Sequence, residues 1–244
     1  MRLSIFVESE MGLRILRFLV NNYPDHVKQI VVRKEWTEAA SLPVPPSCHY
    51  EIFDEQRTAQ HIRELEIDLV LLAWWPNIIK KSVIESAKIG VINLHPSLLP
   101  HNRGKNYWFW NLVEDVPYGV SIHFVDTAVD GGDIIFQREI TKTWEDTGQT
   151  LFDKAKIEIL SLFAESYPKL ANSDYRRTRQ EIDQGSYHHS SELEAASEII
   201  LNKQTTAREL LNLLRARTSK TFRQCYFVDD GVEYEVGVDI RKKS

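Results

Sequence analysis

Cysteine is almost absent from this chain: only Cys48 and Cys225 occur in 244 residues, far apart and outside any Cys-x-x-Cys pattern. That excludes a zinc ribbon and a disulfide framework, and both side chains read as reduced thiols. Glycine and proline are scarce, at ten and nine residues, against 43% hydrophobic and 10% aromatic residues, which excludes disordered and collagen-like classes. No window reaches about 18 uncharged apolar residues, and the opening MRLSIFVESEMGLRIL lacks the order of a secretory signal. A cytoplasmic protein with no membrane partner is expected. Positive charge is short as well. The 30 Lys and Arg against 35 Asp and Glu leave a net charge of -5, which disfavours nucleic acid as a partner.

What is present reads as one domain with an appendage. Leu3 to Val7 is a short apolar strand, and Gly12 to Leu19 repeats its apolar residues at helical spacing. Val27 to Val32 and Asp68 to Ala73 are further strands, the second apolar enough for burial on both faces of a parallel sheet. Between them lie a loop with Pro43, Pro45 and Pro46 and a charged crossover helix over 55–66. Ile78 to Ala87 is expected to be a second crossover helix, and Gly90 to Leu94 the next strand. Tyr107 to Val113 and Thr150 to Ala171 read as helices, with Gly119 to Val125 and Asp133 to Gln137 as strands between them. The polar stretch 172–191 reads as a linker. After it, a helix from near Thr206 and two strands around Asp229-Asp230-Gly231 form a small unit closed by a hairpin turn. The expected domains are therefore 1–175 and 176–244.

The chemistry concentrates in Val91-Ile92-Asn93-Leu94-His95-Pro96-Ser97-Leu98-Leu99-Pro100 and, downstream, Val129-Asp130-Gly131-Gly132-Asp133. Asn93 and His95 are two residues apart at a strand end, so both point to one face of the sheet, and Pro96 stops the strand. An amide donor, an imidazole and a carboxylate in one cavity suit acyl transfer to an amine: a donor for the oxyanion, a proton carrier, and a charge to set its proton affinity. No metal is needed. His123, among apolar neighbours, reads as a core histidine near Asp130. His188 and His189 read as solvated or as part of a substrate lip rather than as metal ligands, and Trp74, Trp75, Trp108 and Trp110 as core or interface aromatics.

The run INLHPSLLP with a downstream Asp-x-Gly resembles the signature of folate-dependent formyltransferases. The resemblance implies a Rossmann-like α/β catalytic domain, with Asn93, His95 and Asp130 as catalytic residues and N10-formyltetrahydrofolate as co-substrate. It also places folate-binding positions at Trp75, Pro76, Asn77 and Ile79, and at Asp126 and Thr127 in a loop closing over the folate. The segment His101 to Trp110 and the C-terminal helix and hairpin resemble those of sugar N-formyltransferases acting on nucleotide-linked amino sugars. That implies a dTDP-linked 4-amino-4,6-dideoxyhexose, with the 3-amino sugar as near alternative, a homodimer, and a product used in polysaccharide biosynthesis. Arg103 and Lys105 are then candidates for the diphosphate, and Tyr107 and Tyr187 for the base. Glycinamide ribonucleotide is the rival acceptor, although Val7-Glu8-Ser9-Glu10-Met11-Gly12 is too acidic for a phosphate cradle. A non-catalytic folate- or nucleotide-binding module is the rival of a different class, and methionyl-tRNA ranks third among the acceptors.

Overall fold

Short runs rich in Val, Ile and Leu become strands, and the charged stretches between them become crossovers. In the computed structural model, β1 (Leu3–Val7), α1 (Ser9–Asn22), β2 (Val27–Val32), β3 (His49–Ile52), α2 (Glu55–Glu64), β4 (Leu69–Ala73), α3 (Lys81–Ile84) and β5 (Gly90–His95) follow one another. Then come β6 (Arg103–Gly104), α4 (Tyr107–Val113), β7 (Gly119–Phe124), β8 (Ile134–Glu139) and α5 (Gly148–Ala171). The chain ends with β9 (Tyr187–His188), α6 (Glu192–Ala196), α7 (Ala207–Arg217), β10 (Cys225–Asp229) and β11 (Val232–Val236). The structure describes residues 1–34, 36, 44–219 and 223–243. Pro43 lies outside them.

Seven strands make one sheet in the order β3-β2-β1-β4-β5-β7-β8. β1 to β5 are mutually parallel where they pair, and β7 joins β5 antiparallel. β1 and β4 are buried at every residue, the pattern of strands covered on both faces. Gly12 lets α1 approach this closely, because a Cβ there would stand 2.5 Å from the Ala73 carbonyl oxygen. The fold is the α/β class expected, with a small helix and antiparallel hairpin near the C-terminus.

The residues group into two compact units: Met1–His95, Ser121–Phe136 and Ile159–Gln180 in one, Pro96–Val120, Gln137–Glu158 and Glu181–Ser244 in the other. In the first, Phe6, Val31, Ile62, Leu72, Trp75 and Val91 share a core. In the second, α7 starts with a capping box, Thr206 accepting from the Glu209 amide while the Glu209 carboxylate accepts from the Thr206 amide. Arg215, 4% exposed, donates to the Thr143 carbonyl and to Asn212.

Two expectations are corrected. The crossover over 78–87 shrinks to the four residues of α3. The Lys88 and Ile89 amides donate to the Ile67 and Asp68 carbonyls, which draws the chain into the sheet before a longer helix can form. The polar stretch after α5 is also no loose tether. Thr178 bridges Ile134, and the Arg177 guanidinium lies 3.5 Å from the Phe124 ring centre.

Candidate active site

Pro96 ends β5 immediately after His95, so Asn93 and His95 project from the same face at the carboxyl end of a central strand. Antiparallel pairing sets His123 of β7 directly opposite Asn93, and Ser121 opposite His95. Asp130 enters from the loop after β7. Asn93 Nδ2 donates to its Oδ1 at 3.3 Å, His95 Nδ1 stands 3.5 Å from its Oδ2, and His123 Nε2 stands 3.5 Å from its Oδ1. His95 and His123 are almost wholly buried, whereas Asp130 keeps 14% of its side chain exposed. His123 Nδ1 donates to the Phe124 carbonyl at 2.7 Å, which turns Nε2 toward the carboxylate.

The loop is held in place by backbone geometry. Asp130 adopts a left-handed φ of 49°, a conformation that costs a non-glycine residue about 1 kcal/mol. Gly132 must be glycine, since a Cβ there would lie 2.1 Å from the Phe124 carbonyl oxygen. Gln180, 6% exposed, donates from Nε2 to the carbonyls of Asp130 at 2.9 Å and Gly132 at 2.6 Å. The sequence reading missed Gln180 because it lies inside the polar run taken for a linker. Nothing in the run Arg176-Arg177-Thr178-Arg179-Gln180 distinguishes the pinned residue from its polar neighbours.

The other expected positions distribute as follows. Trp75 is buried edge-on against Phe6 and Phe53, and its indole nitrogen has no hydrogen-bond partner among the described residues. Ile79 is buried, Pro76 is half-buried, Asn77 is exposed, and Ile78 between them is 78% exposed. Asp126 and Thr127 are exposed, with Asp126 accepting from the Ala128 amide. Within the second unit, β6 and β9 pair so that Arg103 lies opposite Tyr187, and the Lys105 amide donates to the His188 carbonyl. Tyr107 is buried and stacks on Phe152. His188 is not solvated: it stacks on Trp110 at 3.7 Å, and its Nε2 lies 2.7 Å from Glu114. His49, Glu51 and His61 come together at the sheet edge.

A family model described as formyl transferase matches residues 32–163, and one described as N-formyltransferase dimerization C-terminal domain matches 192–242. A methionyl-tRNA formyltransferase from Lactobacillus johnsonii is 32% identical over 213 residues, covering 86% of this chain and 65% of that protein. The chain spans less than two thirds of the length of the curated relatives it matches. Among solved structures, a sugar N-formyltransferase from Shewanella superposes with a TM-score of 0.82 at 21% identity, covering 100% of this chain and 99% of that one. The N-formyltransferase from Helicobacter canadensis, in complex with folinic acid and dTDP-3-aminofucose, gives 0.73 at 20% identity, covering 95% and 85%.

Proposed function

The chain belongs to the formyl transferase family, and from that premise we propose that it transfers the formyl group of N10-formyltetrahydrofolate to the amine of a nucleotide-linked amino sugar, a dTDP-4-amino-4,6-dideoxyhexose in the first instance. The observation that carries the reaction is the meeting of Asn93, His95 and Asp130 at one strand end. Asn93 and His95 supply donors to the oxygen that becomes anionic when the amine adds to the formyl carbon, His95 with Asp130 takes the proton that the amine sheds, and collapse of the tetrahedral adduct breaks the C–N10 bond, N10 taking up a proton as tetrahydrofolate leaves. For the folate, the strip Trp75 to Ile79 offers the unpartnered indole N–H of Trp75. A heterocycle with ring nitrogens and carbonyl oxygens provides the acceptor that this buried donor lacks.

The sugar class is favoured by the match of residues 192–242 to the N-formyltransferase C-terminal domain and by structural neighbours covered nearly end to end. The methionyl-tRNA enzymes among the sequence relatives favour a second reading, against which the net charge of -5 weighs. Arg103 and Lys105, at the β6/β9 ribbon, bind the diphosphate, and Tyr187, opposite Arg103, offers its ring to the base. Tyr107 is the weaker candidate, since its ring is packed on Phe152. The same C-terminal match, with the exposed Val228, Val232 and Tyr234, supports a homodimer. No helix among the described residues is long and apolar enough to cross a membrane, and we place the reaction in the cytoplasm, ahead of polysaccharide assembly.

The test is tetrahydrofolate release with dTDP-4-amino and dTDP-3-amino dideoxyhexoses, UDP-4-amino-arabinose, glycinamide ribonucleotide and methionyl-tRNA as acceptors. Rapid turnover with a nucleotide sugar, abolished in His95→Ala, supports the reading. Turnover with glycinamide ribonucleotide or methionyl-tRNA alone overturns the acceptor and keeps the chemistry. Tight folate binding with no turnover on any acceptor overturns both in favour of a binding module.

A further inference from the structure

Glu51 on β3 is a carboxylate only 7% exposed at the edge of the sheet. Its Oε1 accepts from Gln29 Nε2 at 2.6 Å, which fixes the group and leaves Oε2 facing two imidazoles. His61 of α2 places Nδ1 2.9 Å from Oε2, and His49 of β3 places Nε2 4.0 Å from it. The two ring nitrogens are themselves 3.2 Å apart. One ring nitrogen offers a single hydrogen or a single lone pair, so hydrogen bonding leaves at least one of these contacts poorly served. A cation at their centre serves all three lone pairs together.

The distances fit such an ion. Tetrahedral zinc with bonds of roughly 2.0–2.2 Å holds its donors about 3.3–3.6 Å apart; the three here stand 2.9, 3.2 and 4.0 Å apart, so a small rotation of the partly exposed His49 ring completes the set. His49 keeps 37% of its side chain exposed, so a fourth position can be taken by water from the solvent side. Gln29 then plays the part usual for a group hydrogen-bonded to a ligating carboxylate, fixing which oxygen it presents. Cys48 is left out of the set, since its Sγ turns to the His49 carbonyl. The competing cation is Arg57, whose Nε lies 3.5 Å from Oε2 on a side chain 54% exposed and able to swing into solvent.

We propose that His49, Glu51 and His61 bind one divalent transition-metal ion, zinc by donor type, which ties the edge strand β3 to the crossover helix α2. The site is separate from the catalytic one. Glu51 pairs with Val31, Val31 with Phe6, Phe6 with Leu72 and Leu72 with Asn93. Four strand spacings of about 4.8 Å put it roughly 19 Å from Asn93.

The full-length protein, stripped with a chelator, is titrated with Zn²⁺ against a chromophoric competitor, and its Tm is followed with and without the metal. One equivalent is expected to bind with micromolar or tighter affinity and to raise Tm by roughly 5 °C or more at a hundredfold excess over Kd. His49→Ala and Glu51→Gln are each expected to weaken binding at least tenfold, while Arg57→Ala tightens it several-fold by removing the competing charge. Co²⁺ in place of Zn²⁺ should give the intense visible absorption of a four-coordinate site, lost in His61→Ala. His49 is partly exposed, so its variant tests the site without emptying the core. No saturable binding at 100 µM Zn²⁺, or equal binding by wild type and His49→Ala, overturns the proposal.

Discussion

The first unit contains two clusters built from the same three groups, two histidines and a carboxylate, and they are arranged in opposite ways. At the strand ends, the imidazoles of His95 and His123 meet different oxygens of Asp130, with ring centres 6.1 Å apart. At the sheet edge, the imidazoles of His49 and His61 converge on the same oxygen of Glu51, with ring centres 4.6 Å apart. A carboxylate that bridges two splayed rings can pass a proton between partners, whereas three donors converging on a point make a cage for an ion. The same chemical groups thus differ in arrangement through the oxygen each ring addresses, which is decided by the elements that carry them. In the first cluster the carboxylate is on a loop between the rings. In the second it is two residues from one ring on the same strand.

The largest effect expected is on the splayed cluster. Asn93→Ala, His95→Ala and Asp130→Ala should each lower kcat for formyl transfer by at least about 10²-fold, read as tetrahydrofolate release. Wild-type turnover in any one would remove that residue from the reaction. Next comes the support of that cluster. Gln180→Leu removes both hydrogen bonds to the Asp130 loop and should cost about 1–3 kcal/mol of stability in urea unfolding. It should also lower kcat with little change in KM for the folate. The edge cluster should behave independently, because sites more than about 10 Å apart act additively. His49→Ala should abolish the zinc-dependent rise in Tm and leave turnover unchanged, and combining it with Gln180→Leu should give the sum of the two stability changes.

The smallest effect is a pH dependence in the second unit. Burial pushes the Asp146 carboxyl up, but hydrogen bonds from Lys154, the Thr143 amide and Thr150 outweigh it and hold it below its ordinary 3.8. A lowered folded pKa stabilises the protein fully above 3.8, and this stabilisation fades as pH falls through the lower folded value. Acid unfolding of Asp146→Asn should therefore show a shallower loss of stability below pH 3.8 than wild type, while its stability at neutral pH is lower.

The elements that could be read from sequence are those where one signal dominates. Tyr107–Val113 is a helix over the residues expected, and the Asp-Gly pair of the hairpin places Asp230 and Gly231 at φ of 47° and 77°, as a tight turn requires. The meeting of Asn93, His95 and Asp130 was legible because strand period and Pro96 place two of them and a short motif the third. β3 was not, since HYEI carries polar residues in a strand paired on one edge only. The edge cluster was hidden for the same reason. His49 and Glu51 look like surface residues until α2 brings His61 over them. Gln180 was hidden because a polar stretch is identified as loop whether it floats or is pinned by its side chains.

The anchoring of the Asp130 loop also bears on when activity can arise as the chain is made. Gln180 lies 50 residues beyond the aspartate whose carbonyl it holds. A growing polypeptide emerges from its amino end, so Asn93, His95, His123 and Asp130 are all outside the ribosome well before their clasp. Until residue 180 follows α5 back to the sheet, the left-handed turn at Asp130 lacks the two hydrogen bonds that offset its cost. The sheet can therefore be complete while the Asp130 loop is still unset, and its final geometry is conferred late, by a segment that contributes none of the converging side chains itself.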